Sequence, residues 1–109
     1  MIEEKDKRII KMMLDKIDKM TELVTFHYDQ IENDYVYSDS LQYEFEKLYE
    51  DSTRLSMKLV SNYPKLPINE LRAIRNRIAH DYETVIISKL INTVKNDFPY
   101  FKNSLESIL

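Results

Sequence analysis

Not one of the 109 residues is glycine. Lacking a Cβ, glycine is the residue that reaches positive φ and lets the backbone approach a ligand closely. Tight hairpins, phosphate-cradling loops and dinucleotide-binding turns all depend on it. A glycine-free chain is therefore a poor candidate for a P-loop, a Rossmann unit or a small β-barrel. Helices joined by short connections tolerate the lack best, so the expected fold is all-α. The length suits one domain spanning residues 1–109. Hydrophobic residues at 43% against charged residues at 32% give that domain enough apolar material for one core.

The cysteine count is zero, which excludes disulfides, thiol catalysis, zinc knuckles and iron–sulfur ligation. His27 and His80 are too few for a His-rich metal site within one chain, and neither a metal nor a cofactor is expected. Apolar runs such as Val85-Ile86-Ile87 fall far short of the ~20 residues a membrane span needs. The opening Glu3-Glu4-Lys5-Asp6 does not read as a signal peptide, so the expected compartment is the cytoplasm. Net charge is −3, but its distribution is uneven. Lys65, Glu70, Arg72, Arg75 and Arg77 give residues 65–80 a local charge of +3, leaving −6 on the rest. A basic patch on an acidic body can still meet a phosphate backbone.

Apolar residues recur at spacings of three and four along most of the chain. Ile10, Met13, Ile17, Met20, Val24, His27 and Ile31 form one stripe, widened by Ile9, Leu14, Leu23 and Tyr28, which predicts a single amphipathic helix over 4–33. Ser38 is the favoured N-cap of a second helix, whose stripe is Leu41, Phe45, Leu48, Ser52, Leu55 and Leu59. Ser52 and Ser56 are small enough there for close approach to the first helix, packed antiparallel. Pro64 and Pro67 end it, and Pro67 opens a short third helix with Leu71, Ile74 and Ile78 inward. Asp81, helped by Glu83, would cap a central fourth helix carrying Val85, Ile86, Ile87, Leu90, Ile91 and Val94. Pro99 is expected to break the chain after Phe98, before a last helix with Phe101, Leu105, Ile108 and Leu109. The whole reads as an up-and-down bundle of about five helices.

One segment carries recognisable chemistry: Arg75-Asn76-Arg77-Ile78-Ala79-His80-Asp81-Tyr82. Arginine supplies a permanent cationic fork for phosphate, and histidine titrates near neutral pH. The pair suits phosphoryl transfer from an internal nucleophile such as the 2′-hydroxyl of RNA. On a straight helix, however, Arg75 and His80 lie ~140° apart, whereas Asn76 and His80 share a face. The pair can converge if the helix ends near His80 or if a second subunit supplies the complement. A plainer reading makes Arg75 and His80 ordinary residues of a helix C-terminus and Tyr82 a half-buried bundle residue. By the same standard His27 is a core-edge or interface histidine. Tyr28, Tyr35, Tyr37, Tyr43 and Tyr49 serve packing or an interface before they serve base stacking, and the charges of Glu3–Arg8 form a solvated helix face.

Arg-x4-His-x-Tyr, preceded by a proline and carried on an arginine-bearing short helix, resembles the HEPN superfamily. The nearest branch is the HepT-like ribonuclease toxins of prokaryotic HEPN–MNT toxin–antitoxin pairs. The likeness extends over nearly the whole chain, with Asp97-Phe98-Pro99 at that branch's Leu-Pro step. Two positions depart from it: a Gly-Glu-Ala step reads Tyr49-Glu50-Asp51 here, and a tryptophan seven residues before the motif arginine is Ile68. The resemblance implies a homodimer whose two motif helices face each other across a cleft. Arg75 and His80 would be the catalytic pair, Asn76 their support, and Arg72 and Arg77 additional RNA-binding charge. Cleavage would be metal-independent and leave a 2′,3′-cyclic phosphate and a 5′-hydroxyl. Tyr82 would be the tyrosine that a partner nucleotidyltransferase antitoxin adenylylates, silencing the enzyme. The alternative from a different class is a non-catalytic helical subunit that binds nucleotide or antitoxin within a nucleotidyltransferase complex.

Overall fold

A computed structural model describes residues 2–80 and 87–109. Its helical segments are α1 (Glu4–Phe26), α2 (Tyr28–Asn33), α3 (Tyr35–Thr53), α4 (Met57–Asn62), α5 (Ile68–His80), α6 (Ile87–Asn92) and α7 (Phe98–Ile108). A π-helical turn over Thr93–Asp97 joins the last two. Grouped by continuity, they form roughly five or six helices in an all-α bundle. The expected Asp81 cap, Glu83, Tyr82, Val85 and Ile86 lie outside the described residues.

The predicted stripes are the core. Ile10, Met13, Ile17 and Met20 of α1 are buried, as are Leu41, Phe45 and Leu48 of α3 and Phe98, Phe101 and Leu105 of α7. Phe45 and Phe98 stack with ring centroids 5.5 Å apart, and Phe101 meets Phe98 edge-on at 6.3 Å. α1 is the shared partner: it packs against α3 on one side and against the π turn and α7 on another, while α5 lies on α3. Contacts pair Asp6 with Ser56 and Lys16 with Asp51, so α1 and α3 run antiparallel as expected.

Four local expectations are overturned. The first helix is not continuous. His27, at φ −129° and ψ 31°, interrupts it between α1 and α2. The His27 N–H still bonds to the Leu23 carbonyl at 2.9 Å, and the Ile31 N–H to that of His27 at 3.0 Å. The axis therefore bends without losing the stripe, and Ile31 stays buried. The half-buried His27 ring stacks on Tyr37 at 5.4 Å, which makes it a core-edge residue.

The second helix starts earlier than Ser38 and is split. The Asp34 carboxylate accepts a hydrogen bond from the Val36 N–H at 2.9 Å, so Asp34 is the cap and the helix begins at Tyr35. A carboxylate in that position serves two roles, as acceptor for an orphan N–H and as counter-charge to the helix dipole. The chain then leaves the helix after Thr53 and re-enters at Met57, with Ser56 as the new cap. Ser56 is thus a junction residue as well as a small one.

Within the N-terminal charge run, Asp6 is buried. Its two carboxylate oxygens accept from the Ser56 N–H at 2.9 Å and the Ser56 hydroxyl at 2.6 Å. The hydroxyl oxygen in turn accepts from the Leu59 N–H at 3.2 Å. A residue expected on a solvated face therefore anchors the α3–α4 corner to the first turn of α1.

Pro99 does not break the chain. Asn92 and Phe98 keep helical dihedrals, and the Phe98 N–H bonds to the Thr93 carbonyl, five residues back. Proline lacks an N–H and its ring crowds the carbonyl four residues earlier. Widening one turn to π geometry just before it accommodates both problems, so Pro99 sits in the first turn of α7, where a missing donor costs nothing.

The Asp6 anchor yields a test. Asp6→Ala removes a charged acceptor that serves two buried donors, and is expected to cost about 2 kcal/mol of unfolding free energy. Glu4→Ala, two residues away on the exposed face, should change it by less than about 0.5 kcal/mol. Urea denaturation of the two variants checks this; equal effects would remove Asp6 from its anchoring role.

Candidate RNA-processing face on helix α5

α5 runs without interruption from Ile68 to His80, the last residue described before position 87. Its rotation is set by apolar contacts: Leu71 is buried, and Ile74 and Ile78 are half-buried. At ~100° per residue these three occupy one sector, and the opposite sector carries Arg72, Asn76 and His80. All three of the latter are exposed. Arg72, Asn76 and His80 step along this surface at intervals of four residues, forming one polar ridge.

Arg75 lies at the edge of that ridge where α5 meets the core, and is half-buried. One guanidinium nitrogen donates to the Asn76 side-chain oxygen at 3.3 Å. Asn76 is therefore in contact with the motif arginine, as a supporting residue would be. Because the helix continues through both residues, Arg75 stays at the core-side edge of the ridge while His80 stands in its row. As described, α5 ends at His80, so both routes to convergence open in the sequence stay open.

Arg77 points elsewhere. It lines a cavity of about 310 Å³ between α5 and α6, with Ile74, Ile78, Lys89 and Leu90 among its walls. Arg72 and Arg77 thus serve two different surfaces. Tyr82 lies outside the described residues.

One residue that sequence reasoning left among the packing tyrosines does reach this face. Tyr49, half-buried on α3, accepts a hydrogen bond from Arg72 Nε through its hydroxyl at 3.2 Å. Its neighbours divide differently. Glu50 is exposed and pairs with Lys47 at 3.3 Å, while Asp51 is buried between Lys16 at 2.7 Å and Arg54 at 2.6 Å. Asp51 is a structural carboxylate whose two cations offset its desolvation.

The other tyrosines lie at the opposite end of the charge distribution. Residues 20–46 contain seven carboxylates and no lysine or arginine. Tyr28, Tyr35 and Tyr43 are exposed within that segment. A hydrogen bond from Tyr28 to the Glu32 carboxylate, reinforced by the Glu32 charge, raises the Tyr28 phenol above its usual pKa. Lysines from outside the segment lie over two of these rings, Lys95 over Tyr28 at 5.6 Å and Lys47 over Tyr43 at 5.2 Å. No group of acidic, histidine or cysteine side chains suited to a metal ion occurs among the described residues. No helix among them is long and apolar enough to cross a membrane.

Comparison with known proteins places the whole bundle in a family. The family model described as "Ribonuclease HepT-like" matches residues 13–108. Two relatives from Methanocaldococcus jannaschii cover most of both chains. "Putative RNase MJ0125" is 25% identical over 108 residues, spanning 94% of this chain and 93% of its own. "Putative RNase MJ1216" is 24% identical over 108 residues, spanning 94% and 89%. No solved structure gives a significant match. With the match extending from the third turn of α1 to the end of α7, the chain belongs to the HepT-like ribonuclease family.

Proposed function

We propose that the protein is a metal-independent endoribonuclease that works as a homodimer, the toxin of a toxin–antitoxin pair. The observation that carries this is the α5 ridge: Arg72, Asn76 and His80 exposed in one row, with Arg75 touching Asn76, on a chain of a ribonuclease family. Two copies of α5 placed face to face bring Arg75 of one subunit towards His80 of the other. That arrangement overcomes the ~140° separation on a single helix.

The chemistry follows from the residue types. The RNA 2′-oxygen attacks the adjacent phosphorus and loses its proton, the bond from phosphorus to the 5′-oxygen breaks, and that oxygen gains a proton. His80 carries the proton transfers, since an imidazole can both accept and donate a proton. Arg75 neutralises charge that accumulates on the non-bridging phosphate oxygens, with Asn76 holding its guanidinium. Arg72 and Arg77 add RNA-binding charge. The products are a 2′,3′-cyclic phosphate and a 5′-hydroxyl.

Regulation is proposed at Tyr82, two positions beyond His80 in the sequence. A nucleotidyltransferase antitoxin transfers AMP from ATP to the phenol oxygen and releases pyrophosphate. The added phosphate brings negative charge and bulk beside a cationic RNA face, which disfavours substrate on both counts.

Incubating the protein, its mass checked as unmodified, with labelled RNA in EDTA tests the reading. Wild type is expected to cleave and leave cyclic-phosphate ends. His80→Ala should lose at least about a hundredfold in rate, and Arg75→Ala a comparable factor. Both should retain the helical circular-dichroism spectrum. Failure of unmodified wild type to cleave any of several RNAs would instead favour the non-catalytic binding subunit. Separately, Tyr82→Phe should cleave like wild type and take up no labelled AMP from the cognate nucleotidyltransferase; continued AMP transfer to that variant would exclude Tyr82 as the acceptor.

A further inference from the structure

We infer that Tyr49 is a positioning residue of the RNA-binding ridge, acting by fixing the Arg72 guanidinium for a phosphate that flanks the scissile one. This rests on the ribonuclease reading above.

An exposed arginine on a helix samples many rotamers, and holding it in one geometry costs side-chain entropy each time it binds. Arg72 is exposed, but its Nε donates to the Tyr49 hydroxyl at 3.2 Å. This bond crosses from α5 to α3, a sequence separation of 23 residues. Tyr49 is itself held: its ring is half-buried and packed against the hydrophobic core of the bundle. One end of the guanidinium is therefore tied to a rigid point while its two terminal nitrogens remain available. A fork presented in this way matches the bidentate geometry that phosphate oxygens favour.

Position along the helix identifies which phosphate. Arg72 precedes His80 by eight residues, ~12 Å along the axis at the helical rise, and both lie on the exposed side of α5. A phosphate reacting at His80 is out of reach of Arg72 in the same subunit, whereas its neighbour along the strand is not. Tyr49 and Arg72 thus favour RNA that continues past the cleavage point over a minimal dinucleotide. The acidic segment at residues 20–46 offers no competing phosphate site.

The test is a double-mutant cycle on the dimer with a single-stranded oligoribonucleotide and a dinucleotide as substrates. Tyr49→Phe keeps the ring and deletes the hydroxyl. It is expected to raise KM for the oligonucleotide about fivefold, the worth of one solvent-exposed hydrogen bond of ordinary strength, with kcat unchanged. KM for the dinucleotide should not move, and thermal melting should match wild type. In an Arg72→Ala background the same substitution should have no further effect, because the group it positions is gone. If Tyr49→Phe leaves the oligonucleotide KM unchanged, or weakens it equally with and without Arg72, the positioning role is overturned. If wild type neither binds nor cleaves the oligonucleotide, the ribonuclease reading itself fails, which is a distinguishable outcome.

Discussion

Burial of Leu71, with Ile74 and Ile78 beside it, against α3 fixes the rotation of α5, and everything proposed for this protein depends on that rotation. A helix that commits one sector to a core has no freedom over what the opposite sector displays. Here the opposite sector is Arg72, Asn76 and His80, with Arg75 at its edge. The same geometry keeps Arg75 and His80 of one chain apart, since no rotamer change closes ~140° of helix circumference. The proposed site therefore draws Arg75 and His80 from two copies of the helix.

The platform under α5 is held by polar contacts that a small core makes worthwhile. A chain of this size buries a modest apolar area, and errors in the setting of one helix are not averaged out by a larger interior. Two buried carboxylates secure α3 and its corner. Asp6 receives the Ser56 N–H and hydroxyl, and Asp51 lies between Lys16 and Arg54. Each ties the end of α3 to α1 and so fixes the register of Tyr49, the α3 residue that reaches Arg72. Removing Ser56 would leave the Asp6 carboxylate without the two donors shown for it, the costly way to break such a contact.

The core was legible because periodicity is a property of spacing, and spacing survives local irregularity. Ile10 through Val24 and Leu41 through Leu59 are buried as their stripes require. The breaks at His27 and Ser56 and the π turn before Pro99 were not legible for the same reason. Each interrupts the backbone while leaving the apolar phase almost intact, and Ile31 and Leu59 stay buried beyond their breaks. The second cap was misplaced because residues 34–38 read as a connection, whereas the Asp34 carboxylate starts the helix within it. Arg75, Asn76 and His80 could be picked out of the sequence because their residue types imply a chemistry. Tyr49 could not, because a tyrosine in a helix stripe looks the same whether its hydroxyl meets solvent or an arginine on the next helix.

The central claim is that the reacting groups come from two subunits, and complementation between inactive chains measures it directly. Arg75→Ala and His80→Ala chains, each inactive alone, would be unfolded together, refolded at equal concentration and assayed on labelled RNA. If each site takes Arg75 from one subunit and His80 from the other, half the dimers are mixed, and each mixed dimer has one intact site. Activity should then recover to about a quarter of the wild-type value. A mixture that forms heterodimers, verified by native mass spectrometry, yet stays as inactive as its components would contradict a composite site.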